Sequence, residues 1–312
     1  MNKTKRFSGV VIPAVTPVLA DYRLDRESVK RLLDLFRQHG VQPFILGTTG
    51  EGPSLSFLQK QEYIQLAGEQ KQPGDVLYTG ISSTCFDESV ALARHSFEWG
   101  ADAVVATLPS YYGLSESEME RYFEQLANAV GGPLIIYNIP STVHMSIPLD
   151  LIERLSRHPN IVGVKDSERS EERLQQSLEL WVDRTDFSHF LGWAAKSAEG
   201  VLGGSDGLIP STGNLYPGLY ARLYEVALEG NRQEAFRLQV LSDKLGDLYQ
   251  GRRTLGQSLW ALKVLMQDAG ICEAYVLPPL QGQGKEEEAN LVKAIRETPG
   301  QEYLAHTKTP SL

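Results

Sequence analysis

The stretch Ile161-Val162-Gly163-Val164-Lys165-Asp166 decides which fold the sequence predicts. Its first four residues are small or apolar and include two β-branched valines, which is typical of a buried strand in a parallel sheet. Two parallel strands need a crossover connection between them, and that connection is usually a helix. The stretch therefore predicts that other short apolar runs in the chain alternate with amphipathic helices.

The expected alternation covers most of the chain. Strands are predicted over Val10–Val15, Pro43–Leu46, Val76–Gly80, Ala103–Leu108, Leu134–Tyr137, Ile161–Lys165, Phe187–Leu191 and Gly207–Pro210. Helices are predicted between them over Asp25–His39, Phe57–Lys71, Asp87–Trp99, Ser115–Val130, Pro148–Arg157, Ser170–Trp181 and Ala195–Leu202. Ser115 and Glu118 have the spacing of a capping box, which indicates where the fourth helix begins.

Eight alternating strands and helices predict an α/β fold, the (β/α)8 TIM barrel. The competing fold is a doubly wound open sheet. It usually carries a glycine-rich phosphate turn after its first strand, whereas this chain has Pro13-Ala14-Val15-Thr16-Pro17 there. Strand patterns end near Glu225, so we predict a barrel over residues 1–225 and a helical extension packed on it over residues 226–312.

Three helices are predicted in the extension, over Asn231–Tyr249, Leu255–Ala269 and Lys285–Glu297. The tail from Thr298 contains Pro299, Gly300 and Pro310 and is expected to fray.

Composition argues against several classes of function. The 312 residues carry a net charge of −9, which disfavours nucleic acid or an anionic membrane surface as a partner. No apolar run reaches the roughly 18 residues of a membrane span. The two cysteines, Cys85 and Cys272, lie far apart and predict a reducing, cytoplasmic location. The six histidines form no metal-binding motif, so we expect no metal site.

Lys165 is the strongest candidate for chemistry because it closes a buried strand. In an eight-stranded barrel the active site lies at the carboxyl ends of the strands. Burial there disfavours the ammonium form, and Schiff-base chemistry needs the neutral amine. An unperturbed lysine has a pKa of about 10.4 and is almost entirely charged at neutral pH. The alternative is a lysine that reaches solvent or pairs with Asp166.

Other polar residues follow strand ends on the same face of the predicted barrel. After the second strand, Gly47-Thr48-Thr49-Gly50-Glu51 forms either a tight turn whose amides bind an anion or a cap on the next helix. Tyr111 and Tyr112 follow the fourth strand, and Tyr137 ends the fifth. A tyrosine is most often a core aromatic residue, but a phenol near Lys165 is also a suitable proton carrier for imine formation.

Five motifs follow one another along the chain at characteristic intervals. They are Pro13-x-x-Thr16-Pro17, Gly47-Thr48-Thr49-Gly50-Glu51, Tyr111-Tyr112, Tyr137-Asn138-Ile139-Pro140 and Gly163-Val164-Lys165-Asp166. Together they resemble the dihydrodipicolinate synthase / N-acetylneuraminate lyase family of pyruvate-dependent class I lyases. The resemblance extends from about Gly9 to about Leu280.

The resemblance implies a role for each matching residue. Lys165 forms the Schiff base with pyruvate, and Tyr137 is the general acid and base above it. Thr48 belongs to the proton relay. Thr49 holds the pyruvate carboxylate together with the local amides, including that of Gly47. No cofactor is expected, because the cationic imine itself accepts the electrons of the broken bond.

The resemblance also implies an oligomer. Tyr112 matches the tyrosine that family members lend to the active site of the neighbouring subunit. That family is typically a tetramer built as a pair of tight dimers, so we expect a homotetramer here.

Two departures from the family pattern concern the substrate. Thr142 stands where the synthase carries an arginine for the carboxylate of its aldehyde partner, and His144 offers only a weaker, pH-dependent substitute. After the seventh strand, the sialic acid lyases use Gly-x-Asp-Glu to bind sugar hydroxyls, whereas this chain has Gly192-Trp193-Ala194-Ala195. Gly192, Trp193 and Ser211 remain candidate substrate contacts.

The sequence therefore predicts a cytoplasmic lyase that forms a lysine Schiff base with pyruvate or another 2-oxo acid. A 2-keto-3-deoxy acid aldolase or dehydratase fits the departures best, and dihydrodipicolinate synthase is the alternative within the family. An alternative of another class is a catalytically silent barrel that serves as a sensor or scaffold. The presence of the lysine, tyrosine and threonine together argues against it.

Overall fold

The computed structural model describes residues 5–304, in which eight parallel strands close into a barrel in sequence order. Each strand pairs with the next one along the chain, and the first pairs with the eighth. The strands are β1 (Gly9–Pro13), β2 (Gln42–Ile45), β3 (Tyr78–Gly80), β4 (Ala103–Ala106), β5 (Leu134–Asn138), β6 (Ile161–Asp166), β7 (Ser188–Leu191) and β8 (Gly207–Leu208). The predicted TIM barrel is confirmed.

Twelve α-helices lie in the described residues. They are α1 (Arg26–Gln38), α2 (Phe57–Gln70), α3 (Phe86–Glu98), α4 (Glu116–Val130), α5 (Pro140–Val143), α6 (Leu149–Leu155), α7 (Glu171–Trp181), α8 (Ser197–Leu202), α9 (Pro217–Leu228), α10 (Arg232–Gln250), α11 (Leu255–Asp268) and α12 (Lys285–Glu297). The predicted capping box at α4 is present. Within the described part of the chain, no helix is both long and apolar enough to cross a membrane.

Two helices were not predicted from the sequence. The helix α5 has four residues, which is too short to show a helical period. The helix α9 begins with Pro217, a residue suited to a first helical turn, and completes the eighth βα unit. The predicted barrel boundary after Glu225 falls inside α9, which runs to Leu228.

Alternation of side chains along the strands divides the core into two parts. One part lies inside the barrel and includes Val11, Phe44, Tyr78, Val105 and Phe190, all buried. The other lies between the barrel and its helices. Because large side chains fill the barrel interior, it has no central pore, and polar groups can gather only at its ends.

The C-terminal helices pack on the last barrel units. The helix α10 contacts α8 and α9, and the Gln239 side chain accepts a hydrogen bond from the Ala198 amide of α8. The tail that was expected to fray is folded as far as it is described. Residues Gln301–Tyr303 form a 3₁₀ helix, and Tyr303 and Leu304 pack against the core. Its remainder, including Pro310, lies outside the described residues.

Candidate active site

The carboxyl ends of β5 and β6 place Tyr137 and Lys165 side by side. The two residues are partners in the parallel register, so their side chains point into the same end of the barrel. The Nζ atom of Lys165 lies 3.8 Å from the centre of the Tyr137 ring and 4.9 Å from the centre of the Phe44 ring. Only 3% of Lys165 is exposed. The lysine is therefore held among aromatic rings and away from bulk water.

The environment of Lys165 favours its neutral form. Burial lowers the pKa of the amine, and this effect outweighs the opposing influence of Tyr137. No carboxylate of the described residues forms an ion pair with Lys165. The adjacent Asp166 is engaged elsewhere, since its Oδ2 accepts a hydrogen bond of 2.6 Å from Arg173 Nε. The structure thus excludes the alternative of a solvent-reaching lysine or a Lys165–Asp166 pair.

Asp166 belongs to a network that fixes the two strand ends. Asn138 Nδ2 donates to Asp166 Oδ1 at 3.0 Å, and the same amide group donates to Glu168 Oε2 at 3.0 Å. Ser146 donates a further hydrogen bond to Glu168 at 2.6 Å. These bonds join residues adjacent to Tyr137 and Lys165, so they hold the reacting pair in register.

The pKa of the Tyr137 phenol is shifted in the opposite direction from that of an ordinary buried tyrosine. Burial alone raises its pKa, but the positive charge of Lys165 and hydrogen bonds with Thr48, Lys165 and Ser167 outweigh that effect. The net result is a pKa below the ordinary tyrosine value. A lowered pKa brings the phenol closer to the operating pH, so that both its protonated and its ionised form are accessible, which is what general acid and base catalysis requires.

The segment Gly47–Glu51 forms the tight turn expected after β2. The Glu51 amide donates to the Thr48 carbonyl at 3.1 Å, and the Gly52 amide donates to the Gly47 carbonyl at 3.1 Å. A Cβ atom at Gly50 would lie 2.8 Å from the Ala14 carbonyl oxygen, so the close approach of the β1 loop requires glycine there. The turn presents Thr48 and Thr49 to the same cavity as Lys165.

A cavity of about 880 Å³ opens above Lys165. Among the predicted site residues, those that line it are Lys165, Tyr137, Thr48, Thr49, Gly192, Trp193 and Ser211. Gly47 is buried behind the turn and does not line the cavity. A volume of this size accommodates a small organic acid together with a polar extension.

Tyr112, Thr142 and His144 do not line the cavity. Thr142 lies in α5, where its hydroxyl donates to the Ile139 carbonyl at 3.3 Å, and the exposed His144 follows in a left-handed conformation. Tyr111 and Tyr112 are 79% and 73% exposed, and their rings stack edge to face at 4.9 Å. The tyrosine pair therefore projects away from the site of its own chain.

Sequence reasoning missed Ser167, which hydrogen-bonds Tyr137 and lines the cavity. A signal for it existed, since it lies two residues after Lys165 at a strand end and so falls on the same side. Gly192 makes room for it, because a Cβ atom there would lie 2.1 Å from Ser167 Oγ. Gly192 therefore has a steric reason to be glycine.

The other missed residues come mainly from the C-terminal helices and the β6 loop. Those that line the distal half of the cavity include Arg169, Asp243, Asp247, Tyr249, Gln250 and Arg253. No local sequence pattern could show that these residues face Lys165, because their approach depends on how the extension packs. From Thr142 and Gly192-Trp193-Ala194-Ala195 the sequence indicated neither a carboxylate clamp nor a sugar-hydroxyl acceptor, whereas two arginines and two aspartates line this part of the cavity.

Comparison with known proteins identifies the relatives of this chain. The model of the dihydrodipicolinate synthetase family matches residues 6–298. The chain is 30% identical over 280 residues to a probable 2-dehydro-3-deoxy-D-pentonate aldolase of Escherichia coli, covering 88% of this chain and 92% of the relative.

Two solved structures have the same architecture. Dihydrodipicolinate synthase from Bacteroides thetaiotaomicron superposes with a TM-score of 0.89 at 32% identity, covering 95% of this chain and 100% of the other. YagE of Escherichia coli, a member of the dihydrodipicolinic acid synthase family in complex with pyruvate, superposes with a TM-score of 0.88 at 25% identity. That comparison covers 94% of this chain and 99% of YagE.

Proposed function

This chain belongs to the dihydrodipicolinate synthetase family and is a pyruvate-dependent class I lyase, and we propose that it cleaves or dehydrates a 2-keto-3-deoxy acid. The observation that carries the proposal is the position of Lys165. Its amine lies 3.8 Å from the centre of the Tyr137 ring at the floor of a cavity, with burial lowering its pKa. A neutral amine beside a proton carrier is the arrangement that imine formation requires.

In the proposed cleavage the Lys165 amine adds to the C2 carbonyl of the substrate. Tyr137 delivers a proton to the departing hydroxyl, water leaves, and an iminium ion forms. The Tyr137 phenolate then takes the proton of the C4 hydroxyl, the C3–C4 bond breaks, and an aldehyde leaves as the electron pair forms an enamine. Protonation of C3 and hydrolysis of the imine release pyruvate and restore the lysine.

The Thr48–Thr49 turn contributes to this reaction through both of its threonines. The Thr48 hydroxyl hydrogen-bonds Tyr137 and can pass its proton onward. In this proposal Thr49, with the local amides, holds the substrate carboxylate next to Lys165. Hydrogen bonds from neutral donors to an anion are strengthened in a site with little water.

The distal half of the cavity suits a hydroxylated chain. The hydroxyls of Ser211 and Tyr249 lie 2.7 Å apart, and Gln250 donates to the Tyr249 oxygen at 2.7 Å. Asp243 and Asp247 also line this region and can accept hydrogen bonds from substrate hydroxyls. The Escherichia coli relative, a probable 2-dehydro-3-deoxy-D-pentonate aldolase, supports the same class of substrate.

Arg169 favours the alternative, dihydrodipicolinate synthase. Its exposed side chain lines the cavity and has no hydrogen-bond or ion-pair partner in the described residues. An arginine can bind a second carboxylate, as aspartate semialdehyde would require. Arg169 lies at the solvent-exposed mouth, however, where a pair of charges is worth little, and Thr142 supplies no second clamp.

Borohydride trapping tests the proposal. Incubation of the purified protein with pyruvate and borohydride should add one reduced pyruvate to the peptide that contains Lys165. A panel should then show faster turnover of 2-keto-3-deoxypentonate or 2-keto-3-deoxygluconate than of N-acetylneuraminate or of pyruvate with aspartate semialdehyde. Release of free pyruvate would identify an aldolase, and turnover without release of pyruvate a dehydratase. A protein that forms no adduct with any 2-oxo acid would support the silent barrel.

The exposed aromatic pair supports an oligomer. Tyr111 and Tyr112 present two rings to solvent near the active-site face, and we propose that they enter a neighbouring subunit within a pair of tight dimers. Sedimentation should then give a tetramer, and Tyr112→Ser should lower activity.

The two cysteines form no disulfide, which supports the proposed cytoplasmic location.

A further inference from the structure

A second buried lysine lies behind the active site. The side chains of Lys263 and Glu51 are both 0% exposed, and Lys263 Nζ lies 2.5 Å from Glu51 Oε1. Two charges removed from water in this way are costly unless they are closely paired and fully hydrogen-bonded. Neither residue lines the cavity, so the reaction itself gives no reason for their presence.

Lys263 joins three separate parts of the chain. Its Nζ donates to the Thr16 carbonyl at 2.8 Å in the β1 loop and to the Tyr275 carbonyl at 2.7 Å beyond α11. The other Glu51 oxygen accepts a hydrogen bond of 2.6 Å from the Leu277 amide. The ion pair thus connects the C-terminal extension to two active-site loops.

The connection ends next to the catalytic turn. Glu51 follows Thr48, Thr49 and Gly50 directly, and it has a left-handed backbone with a φ of 53°. The Gly50 carbonyl accepts a hydrogen bond of 2.5 Å from the Thr16 hydroxyl. The rear of the turn is therefore tied to Lys263 twice, through Glu51 and through Thr16.

We propose that Lys263 and Glu51 are positioning residues that hold the Thr48–Thr49 turn against Tyr137, so that the C-terminal extension forms part of the catalytic apparatus. Catalytic groups lose effect when they are displaced by about 1 Å, which can lower a rate by about 10²-fold. Without the ion pair, the turn keeps its own two backbone hydrogen bonds but loses its attachment to α11. This inference rests on the proposed role of Lys165 and Tyr137.

Lys5 provides a matched control at the opposite end of the barrel. Its Nζ also contacts one carboxylate and two carbonyls, namely Asp206 at 2.7 Å, Phe187 at 2.8 Å and Trp181 at 3.2 Å. The contacts lie at the amino ends of β7 and β8, far along the strands from the cavity. Loss of either lysine should lower stability, but only loss of Lys263 should disturb the turn.

The experiment measures the rate of imine formation with pyruvate, trapped by borohydride and followed by intact mass. The full-length variants Lys263→Met, Glu51→Gln and Lys5→Met are each combined with Thr48→Val. All rates are measured below the melting temperature and expressed per folded molecule. Pyruvate alone is used, so the readout does not depend on the identity of the complete substrate.

We expect Lys263→Met to slow imine formation by about 10²-fold, whereas Lys5→Met leaves it within about twofold of the unmodified protein. Thr48→Val should cost about 10²-fold in the unmodified and Lys5→Met proteins but under about threefold in Lys263→Met, because a displaced hydroxyl has little left to lose. Glu51→Gln keeps the acceptor for Leu277 and should give a smaller loss in the same direction. It also serves as the test if Lys263→Met does not fold.

Three results would overturn the inference. They are unmodified rates in Lys263→Met or, where that variant does not fold, in Glu51→Gln; an equal loss in Lys5→Met; or a Thr48→Val effect that is the same in every background. Absence of any adduct in the unmodified protein is a different result, since it contradicts the proposed function itself.

Discussion

Lys165 and Lys263 are both buried, yet their surroundings differ completely. Lys263 contacts a carboxylate and two carbonyl oxygens, which satisfy its three N–H donors. Lys165 faces two aromatic rings and the Tyr137 phenol, and no carboxylate of the described chain pairs with it. Burial by itself therefore does not make a lysine reactive. A nucleophilic lysine also needs burial to outweigh the groups that stabilise its charged form, as it outweighs Tyr137 at Lys165.

The largest expected effect distinguishes Lys165 from Lys263 by their reaction with pyruvate. Lys165→Ala should abolish trapping by pyruvate and borohydride, since no other lysine of residues 5–304 combines burial with access to the cavity. Peptide mapping of the unmodified protein should find the adduct on Lys165 and none on Lys263. Lys60 is the informative control, because burial lowers its pKa too, but it lies on the outer helix α2. Labelling of Lys60 or equal labelling of the Lys165→Ala variant would show that the assignment is wrong.

The next largest effect comes from removing the phenol hydroxyl that hydrogen-bonds Lys165. Tyr137→Phe deletes a hydroxyl and almost no volume, so the fold should persist while turnover falls by about 10²–10⁴-fold. Turnover and the melting temperature are both measured. Unchanged turnover would mean that another group, such as Ser167, moves the proton. A large fall in the melting temperature would instead show that the hydroxyl has a structural role.

The contrast also predicts stability changes of opposite sign. Lys263→Met leaves Glu51 buried without its partner and should cost about 3–5 kcal/mol. Lys165→Met should stabilise the protein at neutral pH, because a buried amine with a lowered pKa binds its proton more weakly in the folded state than in the unfolded state. Each tenfold difference in that affinity is worth about 1.4 kcal/mol.

The sign of the pH dependence of stability follows from the same difference in proton affinity between the folded and unfolded states. Between the lowered pKa of Lys165 and its unfolded value of 10.5, the unfolded chain binds more protons, so stability rises with pH across that window. Lys165→Met should remove this rise. Denaturant unfolding at neutral and alkaline pH measures it. A Lys165→Met variant that is less stable than the unmodified protein at neutral pH would contradict the reasoning.

The sequence predicted the barrel and the floor of the site because both depend on local patterns. All eight strands show as short apolar runs, and Lys165 and Tyr137 come together because strand ends meet in a closed barrel. The distal wall could not be predicted in this way. Asp243, Asp247 and Gln250 reach the cavity only through the packing of α10, a long-range contact without a local signature. The Lys263–Glu51 pair was missed for the same reason, since 212 positions separate its members.

Substrate choice is expected to depend on a clamp that this chain lacks. With Thr142 in α5 and no arginine there, condensation of pyruvate with aspartate semialdehyde should be inefficient. Thr142→Arg should raise kcat/KM for that aldehyde by about tenfold or more, the usual worth of a charge-assisted hydrogen bond. Efficient condensation by the unmodified protein would restore the synthase as the proposed function.

The smallest expected effect concerns two arginines that line the cavity, one with a partner and one without. Arg253 is bound to Glu287 and to the Leu248 carbonyl, whereas Arg169 has no partner in the described residues. For a substrate with an uncharged far end, Arg169→Gln should change kcat/KM by less than about threefold, because an exposed arginine without a carboxylate to bind contributes little. A loss well above tenfold would mean that Arg169 binds a second carboxylate. The substrate would then be a diacid, and the unpaired arginine would be the clamp that Thr142 does not provide.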